Sequence, residues 1–387
     1  MKKLRIALFF SNAFKAPHNN KTNICAPMTL LESIAEQLHA RGHTVYFIVP
    51  KNSQNKPYYY RTPLLKDFST NKSLIKLAKE GNRIERIKLL NLYNQSVIRE
   101  FLGRQKPLDI FHFHNPEYAV PLLMGAKHSF EPVFTFHDLN TPTYYQSILA
   151  LAKKTGINVH VTFLSKRQKS LLTAADTHVI HNAINVSQYS YNAQPKDHLL
   201  FAGRMIKEKG VIAAIEVAEK LHKKLITAGS IPKDPEQRAY WDQVIEPRMR
   251  GSNQVLYKGL IPYDNMRTLY REAKVFLFPV TWEEAFGLVM IEAMACGTPV
   301  VAFKKGAVPE IIKHGKTGFI VKNEKEMAAA VKKIYDMPQE EYQAMRRACR
   351  EHVEQNFSME RMVDNYEMLY HDIVHKHKKS HAKSRAS

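Results

Sequence analysis

Four charged residues hold the most chemistry in this sequence. Arg204 and Lys209 lie in GRMIKEKG at 203–210, and Glu284 and Glu292 in EEAFGLVMIEAMACGTPV at 283–300. Two cations in a glycine-bounded loop beside a helix start suit a diphosphate, because a helix N-terminus and fixed positive charge both favour an anion. A surface loop with ordinary charges is the alternative for that segment. Glu292 falls inside an apolar helical run, where an unpaired carboxylate is costly. Carboxylates accept two hydrogen bonds from vicinal hydroxyls, so a ribose or hexose is a natural partner for Glu284 and Glu292. Glu283 is assigned no role.

The surrounding elements must place these groups. Val275 to Phe278 reads as a buried strand stopped by Pro279, helical spacing begins at about Phe286, and Gly297-Thr298-Pro299 ends that helix before a strand from Val300 to Phe303. His198 to Ala202 is a strand, GRMIKEKG follows it, and Val211 to Leu221 is a helix. Loops at the carboxyl ends of strands line the crevice of an open α/β sheet, so both charged pairs are expected to face a ligand there. Gly306 opens a further turn nearby.

The first half repeats the pattern. Leu4 to Phe10, a helix over Thr29 to Ala40 closed by Arg41-Gly42-His43, and Thr44 to Val49 make a βαβ unit, which predicts a parallel sheet. The loop Ser11 to Pro27 has no closely spaced glycines, which disfavours a nicotinamide dinucleotide start. Strands at Asp109 to His112, Val133 to Phe136, Val159 to Phe163 and Val179-Ile180 follow, with His112, His114 and His137 at or near strand ends. Tyr189 to Lys196 is the expected linker. Expected domains are therefore 1–190 and 197–357, then a helix over 358–374 packing back toward the first domain and a basic disordered tail over 375–387. Two doubly wound, Rossmann-like parallel-sheet domains joined this way would face each other across a cleft, a preferred ligand site.

With 387 residues, a net charge of +21 and three cysteines far apart in sequence, the chain is long enough for two cores and poor material for a disulfide framework. No run is apolar and long enough to span a bilayer. The positive charge permits nucleic acid, anionic lipid or phosphorylated small molecules as partners and does not choose among them. No zinc-finger, basic-zipper or ribonucleoprotein pattern is present, so nucleic acid is disfavoured. Lys72, Lys76, Lys79, Arg83, Arg86, Lys88, Arg99 and Arg104 lie in a helical stretch that is either a solvated face or a surface for an anionic membrane or phosphate-bearing acceptor.

Taken together, E-x7-E (Glu284 to Glu292), AVPEII, GKTGFIV and GR-x4-K resemble the retaining, GT-B-fold glycosyltransferases of family 4, the glycosyltransferases group 1 superfamily. The resemblance runs from about residue 4 to residue 374. It implies a hexosyltransferase-type enzyme moving a sugar from a nucleotide-diphosphate sugar, UDP-sugars first, to a glycan or glycolipid acceptor in cell-envelope glycan synthesis. It implies Arg204 and Lys209 on the diphosphate, Glu292 on the ribose hydroxyls and Glu284 on the transferred sugar. The backbone amides of Phe286 and Gly287 would lie near sugar or phosphate. His137 would lie near the reacting sugar, with His112 and His114 contributing, and Glu310 would support the second-domain site. The same resemblance implies no obligatory metal and no cofactor beyond the donor. A cytoplasmic location follows, with a peripheral position on the inner face of the plasma membrane as an extension. One departure stands out: where the family commonly has Gly-Gly, this chain has Cys25-Ala26. That departure and the charge also motivate an alternative, a nonenzymatic or weakly active GT-B-fold binding protein for nucleotide sugars or anionic partners.

Overall fold

Short runs of apolar, often β-branched residues separated by helical segments dictate parallel sheets buried on both faces, and two such sheets form. The computed structural model describes residues 2–11, 16, 26–63, 83–104, 106–124, 128–139 and 142–386. Cys25 and most of the loop from Ser11, together with Lys72, Lys76 and Lys79, lie outside the described residues.

The chain divides into two compact units: residues 1–164, 168–180 and 362–387 in one, residues 165–167 and 181–361 in the other. The first holds a seven-stranded parallel sheet in the order β3-β2-β1-β4-β5-β6-β7. Its strands are β1 (Arg5–Phe9), β2 (Thr44–Val49), β3 (Tyr59–Arg61), β4 (Ile110–Phe113), β5 (Glu131–Thr135), β6 (His160–Phe163) and β7 (Asp176–Val179). Tyr59–Arg61 pairs as an edge strand with Phe47 to Val49. The second unit holds a six-stranded parallel sheet in the order β10-β9-β8-β11-β12-β13, from β8 (Leu199–Ala202), β9 (Leu225–Ala228), β10 (Val255–Tyr257), β11 (Val275–Phe278), β12 (Val300–Phe303) and β13 (Gly318–Val321). Each sheet reverses its strand order once, at β1/β4 and at β8/β11, and ligands bind α/β sheets at such switch points.

The last helix runs Met359–Ala386, so it takes in most of the stretch expected to be a disordered tail. Nothing in that span breaks it, since it contains neither proline nor glycine. From Met362 onward it counts with the first unit. Glu367 accepts from Arg41 Nη1 at 2.7 Å and faces His43 Nε2 at 2.9 Å, and Tyr370 Oη meets His112 Nδ1 at 2.7 Å.

A charged row crosses the amino end of the same sheet. Glu131, His160 and Asp176 each begin a strand, which brings them side by side. His160 Nδ1 lies 2.6 Å from Asp176 and Nε2 lies 3.0 Å from Glu131; His178 and His377 approach the same carboxylates. Burial pushes His160 down, but the two carboxylates more than offset it and raise its pKa. Burial likewise pushes Asp176 up, and His160 with its neighbours brings it below the usual carboxylate range. The His160 contribution to stability is therefore complete below the ordinary histidine value and lost as pH rises through the raised native one. The Asp176 contribution is lost in the opposite direction, as pH falls through its depressed value. Replacing His160 with Asn should lower the melting temperature most near about pH 6, and the gap from wild type should close toward about pH 9. Melting curves across that range check it, and a pH-independent gap would contradict it.

Candidate active site

The loops after β8 and β11 emerge next to each other because the two strands are neighbours at the switch point. After β8 the chain makes a short turn, Lys207–Lys209, and Gly210 at φ 74° leads into the helix Val211–Lys220. A Cβ at Gly210 would sit 2.0 Å from the Pro279 carbonyl oxygen, so the two loops touch backbone to backbone there. Thr281 N–H donates to the Glu208 carbonyl at 2.9 Å and fixes the same contact. After β11 the helix is Leu288–Ala295, two residues later than the apolar spacing suggested, because Gly287 at φ 92° still belongs to the loop.

This arrangement brings together three of the predicted residues. Lys209 Nζ lies 2.6 Å from Glu284 Oε2, and Trp282 Nε1 donates to the same oxygen at 3.0 Å. The Lys209 ammonium sits 4.7 Å from the Trp282 ring centroid and the Arg204 guanidinium 5.6 Å from it, so one indole gathers both cations. Arg204 is exposed, while Lys209 and Glu284 are half-buried. Glu284 is held from behind as well: its carbonyl accepts from Ala307 N–H at 2.9 Å, across Gly306. Glu283 bonds Arg167 Nε at 2.9 Å and accepts from Gly306 N–H at 3.2 Å, which gives it a structural part.

Glu292 faces elsewhere within the same unit. Its carboxylate is nearly buried and accepts from Tyr270 at 2.8 Å and from Tyr263 at 3.2 Å. Burial raises its pKa, and the tyrosine hydroxyls oppose that rise without cancelling it. Tyr263 and Tyr270 both belong to the helix Tyr263–Glu272, two turns apart on one face. Sequence reasoning missed them and Trp282; the seven-residue spacing of the tyrosines was the available signal. The Phe286 side chain is core, packed against His181 and Phe357. Glu310 accepts from the Lys166 and Arg167 amides at 2.8 and 2.9 Å and meets His181 Nε2 at 3.2 Å. Burial pushes its pKa up, but His181 and these amides bring the net value down.

In the first unit the predicted histidines stack at the carboxyl ends of β4 and β5, with His112 in β4 and His114 just after it buried and His137 after β5 half-buried. His114 Nδ1 lies 2.7 Å from His137 Nε2, and His112 bridges Tyr370 and Thr135. Burial holds His112 and His114 well below the ordinary histidine value and brings His137 to about 4. All three are therefore neutral near pH 7 and act through hydrogen bonds rather than charge. Glu117, in the turn Pro116–Tyr118 after β4, is pushed up to about 7 by burial, with Asp138 adding to the rise.

Among the described residues, His43, Glu367 and His371 converge closely enough to be tested as a metal site. His43 Nδ1 accepts the Leu4 N–H at 3.1 Å, so its proton sits on Nε2, facing Glu367. A nitrogen carrying that proton has no lone pair for a metal, and Arg41 already pairs with Glu367. The group is a hydrogen-bonded clamp on the last helix.

Comparison with known proteins fits this architecture. Residues 29–188 match Glycosyltransferase Family 4, and residues 188–352 match Glycosyl transferases group 1. The N-acetyl-alpha-D-glucosaminyl L-malate synthase of Bacillus anthracis is 34% identical over 123 residues, 32% of each chain. The lipopolysaccharide 1,2-N-acetylglucosaminetransferase of Salmonella typhimurium is 29% identical over 178 residues, 41% of this chain and 46% of that protein. The match thus spans less than half the length of each of these two relatives. Among solved structures, sucrose-phosphate synthase from Thermosynechococcus elongatus superposes with a TM-score of 0.74 at 20% identity, covering 96% of this chain and 99% of the other. Anabaena HepE in complex with UDP gives 0.68 at 16% identity, covering 95% and 100%. The chain thus has the two-sheet GT-B fold and carries a family 4-like region followed by a region matching glycosyl transferases group 1.

Proposed function

We propose that this chain transfers a hexose from a UDP-sugar, with retention of anomeric configuration, to a saccharide or lipid-linked acceptor in cell-envelope glycan synthesis. The observation that carries the reading is the meeting of Arg204, Lys209 and Glu284 around Trp282 at the β8/β11 switch point. Without donor, Lys209 and Glu284 neutralise each other. A diphosphate draws Lys209 and Arg204 to its oxygens and frees Glu284 for the hydroxyls of the transferred sugar. Glu292 takes the ribose, and the backbone amides of Phe286 and Gly287 face sugar or phosphate. Charge then builds on the departing phosphate, where fixed cations in a half-buried site lower the barrier. His137, neutral, serves the reacting sugar by hydrogen bonding. No metal is required, because Arg204 and Lys209 supply the positive charge. The UDP-glucose bound by HepE, which shares the fold, and the lipopolysaccharide in the name of the Salmonella transferase support the donor and acceptor classes.

No helix among the described residues is long and apolar enough to cross a membrane. A cytoplasmic protein that docks on the inner membrane surface through exposed basic residues such as Lys88 and Arg99 fits a lipid-linked acceptor. Calorimetry with UDP, GDP and ADP, followed by mass spectrometry of envelope extract incubated with the matching sugar donors, tests the reading. UDP binding with a glycosylated product supports it. Nucleotide binding without product under any acceptor points to the binding-protein alternative, and absence of binding to all three removes the donor site.

A further inference from the structure

Glu292 is assigned to the ribose in the reading above, yet in this structure neither of its oxygens is bare. Tyr270 donates to Oε2 at 2.8 Å and Tyr263 to Oε1 at 3.2 Å. The two contacts differ in kind. Tyr270 is fully buried, and its bond is short. Tyr263 is half-buried, its bond to Glu292 is long, and its hydroxyl has a second partner in hand, the buried hydroxyl of Tyr189. Arg267 lies 5.0 Å from the Tyr263 ring centroid and 5.4 Å from that of Tyr189, so one guanidinium holds the two rings together. Tyr263 also opens its helix directly after Pro262, at the carboxyl end of β10, on the ligand-facing edge of the sheet.

A nearly buried carboxylate needs a donor at all times, because an unsatisfied one carries its full desolvation cost. We infer that Tyr263 is a displaceable stand-in for a ribose hydroxyl: it satisfies Glu292 Oε1 while the site is empty and passes its hydrogen bond to Tyr189 when a nucleoside diphosphate arrives. Tyr270 stays on Oε2 in both states and orients the carboxylate. Tyr263 is thus a positioning residue that sets how strongly the site prefers a ribonucleotide.

The inference rests on the proposed donor site, and its test separates the two. Calorimetry is run with UDP and with its 2′-deoxy and 3′-deoxy analogues on wild type, Tyr263→Phe and Tyr270→Phe. Wild type should bind UDP; if it binds neither UDP, GDP nor ADP, the donor reading itself fails, and the role of Tyr263 with it. In Tyr263→Phe the empty site loses its Tyr263 donor on Oε1 and keeps only the neighbouring Tyr189 hydroxyl, so UDP, which brings its own donor, should bind up to about fivefold more tightly. The deoxy analogue lacking the hydroxyl that meets Oε1 should bind as it does to wild type, so the ribose-to-deoxyribose ratio widens by the same factor. Tyr270→Phe should instead weaken UDP. UDP binding with an unchanged or weaker affinity in Tyr263→Phe, or an unchanged ratio, would overturn the inference while leaving the donor site standing. Packing lost at a merely structural tyrosine would not move that ratio in this direction.

Discussion

Lys209→Ala should reduce turnover with a nucleotide sugar by about a hundred- to a thousandfold. The ammonium is placed by the close backbone approach of Gly210 to Pro279 and by the Trp282 ring, and it is paired at 2.6 Å with Glu284. Its proposed task is to meet charge that grows on the leaving phosphate, so its removal should fall mainly on kcat, with a smaller change in KM. The fold should survive, because Trp282 Nε1 still donates to the Glu284 oxygen that Lys209 leaves. Single-turnover and steady-state rates with the donor found by calorimetry read the effect. A folded Lys209→Ala variant with wild-type kcat would end the leaving-group role.

Gly306→Ala should cost at least about 3 kcal/mol of stability and abolish donor binding. At φ 52° a side chain is strained, and the added Cβ would lie 2.1 Å from the Glu284 carbonyl oxygen and 2.4 Å from its nitrogen. Neither neighbour is a flexible side-chain tip. Relief requires moving the backbone of Glu284 itself, which also breaks the Ala307 N–H bond to its carbonyl. Thermal melts and calorimetry on one preparation check both effects together. A variant that loses donor binding with an unchanged melting temperature would mean that the glycine contacts ligand rather than holding the loop.

The second sheet and its charged loops were legible because their signals are local. Val275 to Phe278 is an apolar run, Pro279 stops it, and Gly210 and Gly287 mark turns that demand positive φ. What could not be read was which loop meets which. That depends on the β8/β11 pairing, a contact between segments about 75 residues apart in sequence. Trp282 gathers Arg204 and Lys209 only because of it. Glu292 was legible as a buried acid needing partners, but its partners come from a helix, Tyr263–Glu272, that the strongly polar composition of that stretch concealed. The histidines were visible at strand ends; their neutrality follows from burial, which appears only once the Met359–Ala386 helix covers His112 with Tyr370.

The division of the chain also has a consequence for its birth on the ribosome. The first unit is assembled from residues up to 180 and from residues 362 onward, with residues 181–361 belonging to the second. Its seven-stranded sheet is therefore translated well before the helix that supplies Glu367 to Arg41 and Tyr370 to His112. At about 5–20 residues per second, the wait is roughly 10 to 35 s. The later-made unit can close on itself during that interval, while the earlier-made one keeps the seat of its helix from residue 362 open until that segment is made.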